Sequence, residues 1–545
     1  MVCLVLNAPA SGQEGAEKAS ADLLRIAFPQ EDGSLTPYTF EVGYPLLTLV
    51  YDTLMWRDAQ GIPQPLLARA VEPSADGVRI TIRLAPGAQW HDGRPVTSGD
   101  VAFTFRFMAE RPHPRFTPQL ESVTGVETPD PATAVVTLRA PSPGFTDQPL
   151  ADVPIIPAHI WSTLPPGMLA PEGLPVGSGP YRLVEHVPDE RYRFEANPGY
   201  FRGAPAVRVL EVPIIPAAEQ TFLALERRRV DMIPVNLPSG TDDRLERVGA
   251  KISRGTSYLG TALLLNTRRA PFDRLEVRQA VARSLDVQRV SRSVGDVVPA
   301  DRGFLHPESQ WAGETLSQFD EKSARADIVR LGIPPFRVLT ADNDPAKLDA
   351  ARQVALALQR AGLQVVSEQR PRAEVSRALG EDGAPPTYEA AIGAISPLIS
   401  YDPDFLRPFF GGGDTSRLNV TGYRSAEFDQ LAEGIRSSAD AEQRRIAVST
   451  ALQLLATDAP AIPLFFNSGA FAYRDAAYEG WVFIKGTGIL DRRSFVEPAT
   501  IQKRAPTEVV PETSTDQGPP VFGLAAAAIL VAALLLALVA LLRRS

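Results

Sequence analysis

The stretch Val521 to Leu542 is a run of 22 uncharged, mostly aliphatic residues, and it constrains the chain more than any other feature. As an α-helix rising 1.5 Å per residue it would span roughly 33 Å, about one bilayer core. It has no polar face and is the last element of the chain, so it predicts a transmembrane helix rather than a buried core helix. Only Arg543, Arg544 and Ser545 follow, a positive stub that predicts a cytoplasmic C-terminus and an extracytoplasmic body. Just before it, Lys503 to Pro520 carries Pro506, Pro511, Pro519 and Pro520 among Thr, Ser, Glu and Asp, the composition of a semi-extended tether. At the other end, Met1 to Leu6 is a short apolar stub, and Ala8-Pro9-Ala10 resembles a signal-peptidase site. Residues 1–21 therefore read as the remnant of an export signal or an unstructured start.

Between these ends lies enough chain for two to four domains or subdomains. The 545 residues are 44% hydrophobic and 22% charged, which excludes a disordered tail and requires a packed interior. A formal charge of −9 argues against a nucleic-acid partner. Cys3 is the single cysteine, so an internal disulfide and cysteine-rich zinc sites are excluded. Alternation over Val78 to Leu84 predicts a half-buried strand, followed by a capping box at Thr97 to Asp100 and a helix over Val101 to Ala109. Another strand is expected near Ala134 to Arg139. Farther on, Phe336 to Thr340, a helix capped by Asp344 and ended by Gly362, and Leu363 to Ser367 predict a right-handed parallel β-α-β unit. Helices are also expected over Arg274 to Val290, opened by Asp273, and over Ala441 to Thr457, opened by Asp440.

Catalytic chemistry is hard to place on this pattern. No two of the five histidines stand at i, i+4, and no zinc-protease motif is present. Ser178 lies between Gly177 and Gly179, but Pro175 occupies the position where a nucleophile elbow needs its first glycine. The run Gly411 to Gly413 lacks the lysine of a phosphate loop. The Asp342-Asn343-Asp344 run meets Pro345 and lacks the glutamate of a calcium loop, which leaves a helix cap as the better reading. Asp402 and Asp404 flank Pro403, a spacing explained best by turn chemistry. No catalytic group, metal site or cofactor is expected.

Seven stretches in order then carry a resemblance. They are V-Y-D-T-L (Val50 to Leu54), the W-H-D-G-R-P-V-T-S-G-D-V region within Leu84 to Phe105, and G-S-G-P-Y (Gly177 to Tyr181). N-P-G-Y-F-R-G-A-P (Asn197 to Pro205), L-L-L-N-T (Leu263 to Thr267), P-F-D-x-x-x-V-R-Q-A-V (Pro271 to Val281) and D-P-D-F-L-R-P-F-F (Asp402 to Phe410) follow. Over about residues 23 to 500 the chain resembles family 5 of the extracellular solute-binding proteins, the peptide/nickel type that serves ABC importers. Most of these motifs read as fold signatures: His91 as a satisfied turn or core imidazole, Gly177 and Gly179 as a tight crossover, Asn266 as a backbone-binding side chain.

The resemblance implies an α/β fold of the two-lobed, type II periplasmic-binding-protein kind, a clamshell with an extra α+β subdomain, here completed by the C-terminal transmembrane helix. The expected division is lobe I over 22–58, 175–268 and 474–502, the subdomain over 59–174, lobe II over 269–473, a linker over 503–520, the membrane helix over 521–542 and a cytoplasmic stub over 543–545. Hinges are expected near Tyr258 to Pro271 and Phe471 to Trp481. The function implied is capture of a small polar solute (a peptide, opine, oligosaccharide or metal chelate) and its delivery to ABC permease subunits at the cell membrane. A ligand-binding sensor subunit and an exported tethered hydrolase are the alternatives. In peptide-binding members a tryptophan and, three residues on, an aspartate for the ligand's amino group precede the Asp-Pro pair; here Ser396 and Ile399 stand there. A buried ammonium without a carboxylate would be costly, so a free peptide N-terminus is disfavoured. The candidate ligand contacts are Ser396, Ser400 and Tyr401 from lobe II, with Tyr38 and Glu41 from lobe I.

Overall fold

The computed structural model describes residues 17–501, without 41–42, 234–240, 317, 382–383, 396–401, 413–417 and 499. The chain divides into two units, Met1–Ile501 and Gln502–Ser545, and the second lies outside the described residues.

Alternation builds the subdomain. In the strand Arg79–Leu84, Ile80, Ile82 and Leu84 are buried while Arg79 and Arg83 face solvent. It sits between Ala68–Pro73 and Thr133–Leu138 in an antiparallel sheet completed by Val123–Asp130. The helix Ser98–Glu110 lies along this sheet, opened by the expected capping box: the Asp100 carboxylate accepts from the Thr97 N–H at 2.8 Å. A second four-stranded sheet pairs Ala21–Arg25 in parallel with Val207–Pro213, which continues antiparallel through Arg191–Ala196 to Tyr181–Val187. One hydrophobic core, from Ala19 to Val212 and joined again by Tyr478, Trp481 and Phe495, serves both sheets.

The C-terminal half has a different logic. Its six-stranded sheet runs in the order Val297–Pro299, Ala461–Asn467, Gly260–Leu265, Ala390–Ile395, Phe336–Ala341, Val365–Arg370. Every residue of Gly260–Leu265 is buried, and the period of two splits them between two cores: Leu263 and Leu265 enter one, Ala262 and Leu264 the other. Helices therefore cover both faces. Phe336–Ala341 and Val365–Arg370 are parallel and joined by the helix Pro345–Ala361, with Asp344 accepting from the Lys347 N–H and Gly362 ending it at φ 106°. The chain passes between these sheets and those of the N-terminal half at 254–259 and 468–470. At the first passage Ser257 bridges to Gly486.

Two expectations are corrected. The helix expected over Arg274 to Val290 is two helices, Leu275–Arg283 and Val287–Val294. Asp286 breaks the run because its carboxylate accepts from the Arg289 N–H at 3.0 Å and caps the second helix. The first is opened by Arg274, without a side-chain cap, and not by Asp273. The transmembrane helix is corrected as an element of the fold. Among the described residues no helix is long and apolar enough to cross a membrane. The two longest, Pro345–Ala361 and Ala441–Asp458, carry charged side chains along their length. The stretch 521–542 lies outside the described residues, so the fold that stands is the α/β body alone.

Candidate functional site

Three of the sequence motifs meet at one buried ion pair. Asp52 is fully buried; it accepts from Arg492 Nη1 at 3.0 Å, Tyr200 Oη at 2.9 Å and Ser178 Oγ at 3.1 Å. Ser178 is thus a donor to a structural carboxylate, and among the described residues its hydroxyl makes no hydrogen bond to a histidine. Gly177 and Gly179 allow that approach, since a Cβ on either would fall within 2.4 Å of a carbonyl oxygen of Leu49 or Val50. His91 is the satisfied turn imidazole expected of it. Its Nδ1 accepts from the Gly177 N–H at 3.2 Å and its Nε2–H donates to the Gly179 carbonyl at 3.0 Å. Only the neutral ring does both.

Burial pushes the imidazoles of His91 and His306 down to about 4. An unfolded histidine takes its proton near 6.5. Between those values the unfolded chain binds more protons, so the stability from these two rings is present above about pH 6.5 and is lost as pH falls to 4. The thermal midpoint is expected to fall across that window, and His91→Gln to flatten part of the slope in circular-dichroism melts.

A crevice lined by both halves of the chain lies between the subdomain and the region after Ala390–Ile395. It is narrow and widely open to solvent, between Arg115, Gln119, Gly144 and Gln148 on one side and Asp402, Asp404, Arg407 and Arg444 on the other. On the subdomain side, buried Asp152 fixes the wall. It accepts from Arg115 Nη2 at 2.6 Å and Gln119 Nε2 at 2.6 Å, while the Arg115 guanidinium lies 3.9 Å from the centre of the Tyr44 ring. Gln119 Oε1 is buried with no donor to it among the described residues.

Opposite, Asp402 accepts from the Asp404 N–H at 2.9 Å, so the turn chemistry expected around Pro403 is present. It also has a larger role. Arg444 Nη2 donates to both Asp402 oxygens at 2.7 and 2.8 Å, with Arg444 Nε on the Ile435 carbonyl at 2.6 Å. Gly144 approaches so closely that a Cβ there would stand 2.3 Å from Asp402 Oδ2. Arg407, oriented by Asp404 at 3.1 Å, reaches across to Glu121 Oε2 and the Pro118 carbonyl, each at 2.7 Å.

Of the five candidate contacts, Glu41, Ser396, Ser400 and Tyr401 lie outside the described residues. Tyr38 is half-buried, its hydroxyl donating to the Arg111 carbonyl at 2.7 Å and its ring against Phe107, His113 and Trp161. Arg407, Glu121 and Arg444 were not anticipated. The arginine of the D-P-D-F-L-R stretch was the available signal, but its partner 286 residues away in sequence was not. Among the described residues no group of three or more His, Cys, Asp or Glu is placed to hold a metal ion.

The chain is 27% identical over 408 residues to a Brucella ovis protein named as an ABC transporter peptide-binding protein, covering 71% of this chain and 73% of that one. Its fold is similar to that of the oligopeptide-binding protein AppA of Bacillus subtilis, solved with a nonapeptide, at a TM-score of 0.78, 20% identity, and coverage of 88% and 99% of the two chains. It is also similar to AgaA of A. tumefaciens R10, solved with agropinic acid, at a TM-score of 0.76, 21% identity, and coverage of 88% and 98%. These likenesses make the body a two-lobed periplasmic-binding-protein fold. Residues 63–417, more than half of the chain, match the bacterial extracellular solute-binding proteins, family 5 Middle; the protein belongs to that family, whose members bind solutes and are not enzymes.

Proposed function

We propose that this protein captures a small polar solute, peptide-like in the first instance, between its lobes and delivers it to the permease of an ABC importer. The observation that carries the reading is the crevice lined jointly by the subdomain and the C-terminal lobe, where charged and polar side chains of the two sides face each other. A solute that bridges the two sides gains its second set of contacts only on closure, so its binding energy shifts the open–closed equilibrium toward the form a permease would read. The relatives named for peptide binding support a peptide-like ligand; the opine bound by AgaA supports a wider range of polar solutes.

Both described carboxylates on the lobe II wall are engaged by arginines, Asp402 by Arg444 and Asp404 by Arg407. Neither is offered to an ammonium group, which favours solutes without a free N-terminus. Tyr38, Glu41, Ser396, Ser400 and Tyr401 stay as proposed contacts. The test is a thermal-shift screen of the full chain against free and N-acetylated tetrapeptides, nonapeptides, agropinic acid, oligosaccharides and nickel–histidine chelate. A tight solute raises the midpoint by mass action. An acetylated peptide is expected to shift it at least as far as its free counterpart. No shift with any member of the panel would refute the reading.

A further inference from the structure

We propose that Arg407 is a closure latch that holds the two lobes together even when no solute is bound. The inference rests on the solute-binding reading and adds to it a contact made by the protein with itself. Arg407 belongs to the helix Leu406–Phe410, whose Leu406 and Phe410 are packed into a core of the C-terminal lobe. Its targets belong to the other side: Pro118 and Glu121 adjoin Phe116 and Leu120, which are buried in the N-terminal core. The link therefore joins two separately packed bodies.

Its geometry is that of a made bond rather than a chance surface encounter. The guanidinium uses Nη1 on Glu121, Nη2 on the Pro118 carbonyl, and Nε and Nη2 on Asp404. Only 17% of the Arg407 side chain is exposed. Asp404 is held in turn by the Pro403–Phe405 turn that Asp402 caps, so the fork is aimed before the lobes meet. A carbonyl and a carboxylate together fix both direction and distance. One turn away, Gly144 sits against Asp402 with no room for a side chain, which gives the closed arrangement a second point of tight fit.

A contact present only in the closed arrangement raises the closed population of the empty protein and adds the same factor to the affinity for every solute. It is a contribution that does not depend on the chemistry of the guest. Among the described residues, other polar links between the halves gather at the chain passage: Glu308 accepts from Thr256 Oγ1 and pairs with Lys485, each at 2.9 Å, and Arg254 joins Asp242 to Asp296. Arg254 and Thr256 belong to the crossing segment itself, so the links they make can persist as the lobes swing. Arg407 and Glu121 are far from it in the chain and have no such tether.

The test is small-angle scattering on the solute-free full chain, comparing wild type with Arg407→Ala, Glu121→Gln and the double variant. Removing a charge-assisted bond of this exposure is expected to lower the closed-to-open ratio on the order of tenfold for Arg407→Ala and roughly threefold for Glu121→Gln. The radius of gyration should rise accordingly, with the double variant no more expanded than Arg407→Ala alone. Circular dichroism and the urea midpoint of Glu121→Gln should match wild type, which separates opening from unfolding. An unchanged radius in both single variants overturns the latch. A solute found in the thermal-shift screen alongside an unchanged radius removes the latch and leaves the binding function standing.

Discussion

Arg492→Met is expected to lower the unfolding free energy by about 3–5 kcal/mol, because it leaves the Asp52 carboxylate buried without its cation. The pair joins the first strand-and-helix segment of the N-terminal half to the last, residues 440 apart in sequence. Burial pushes the Asp52 carboxyl up, and Arg492, Tyr200 and Ser178 all work against that shift. With the guanidinium gone the carboxyl moves higher still, while its unfolded value stays near 3.9. A carboxyl raised on folding penalises the folded state where it is ionised and stops doing so once protonated. The deficit of the variant should therefore be larger at pH 8 than at pH 5. Urea unfolding at the two pH values measures both the size of the loss and its sign with pH.

Arg444→Met should cost a similar amount, about 3–5 kcal/mol, by the same logic applied to Asp402. Both side chains of this pair are 6% exposed, and both Asp402 oxygens receive hydrogen bonds from Arg444. The consequence differs because of where the pair stands. Asp402 caps the turn that carries Asp404 and Arg407, and it lies against Gly144 across the cavity. Loss of Arg444 should destabilise the C-terminal lobe and also misplace the wall facing the subdomain. Asp402→Asn in the Arg444→Met background removes the stranded charge and should recover part of the stability in urea unfolding. Failure of that rescue would mean that packing of Arg444 over the Trp311 ring, 4.9 Å away, matters more than the charge.

Local chemistry made much of the fold legible in advance. The strand Arg79–Leu84, the capping box at Thr97, the Asp344 cap and the β-α-β unit depend on neighbours within a few residues, and periodicity and caps report those neighbours directly. The break at Asp286 was missed because apolar spacing continues through it; only the choice of the carboxylate to bond Arg289 stops the helix. The site was less legible. Asp52, Ser178 and Tyr200 each stood in a separate motif, and nothing in their spacing says that one ion pair unites them with Arg492. Ser178 looked like a possible nucleophile from its glycines alone, whereas those glycines make room for the backbone of Leu49 and Val50. The Arg407 link to Glu121 depends on how two lobes meet, a relation that no local pattern encodes.

The most direct measurement is small-angle scattering of the full chain before and after saturation with the panel member that gives the largest thermal shift, its stoichiometry fixed by calorimetric titration. A single molecule bound per chain, together with a fall in the radius of gyration, is the predicted result. Saturation by that solute with no change in the dimensions of the protein would contradict a binding site that closes around its guest.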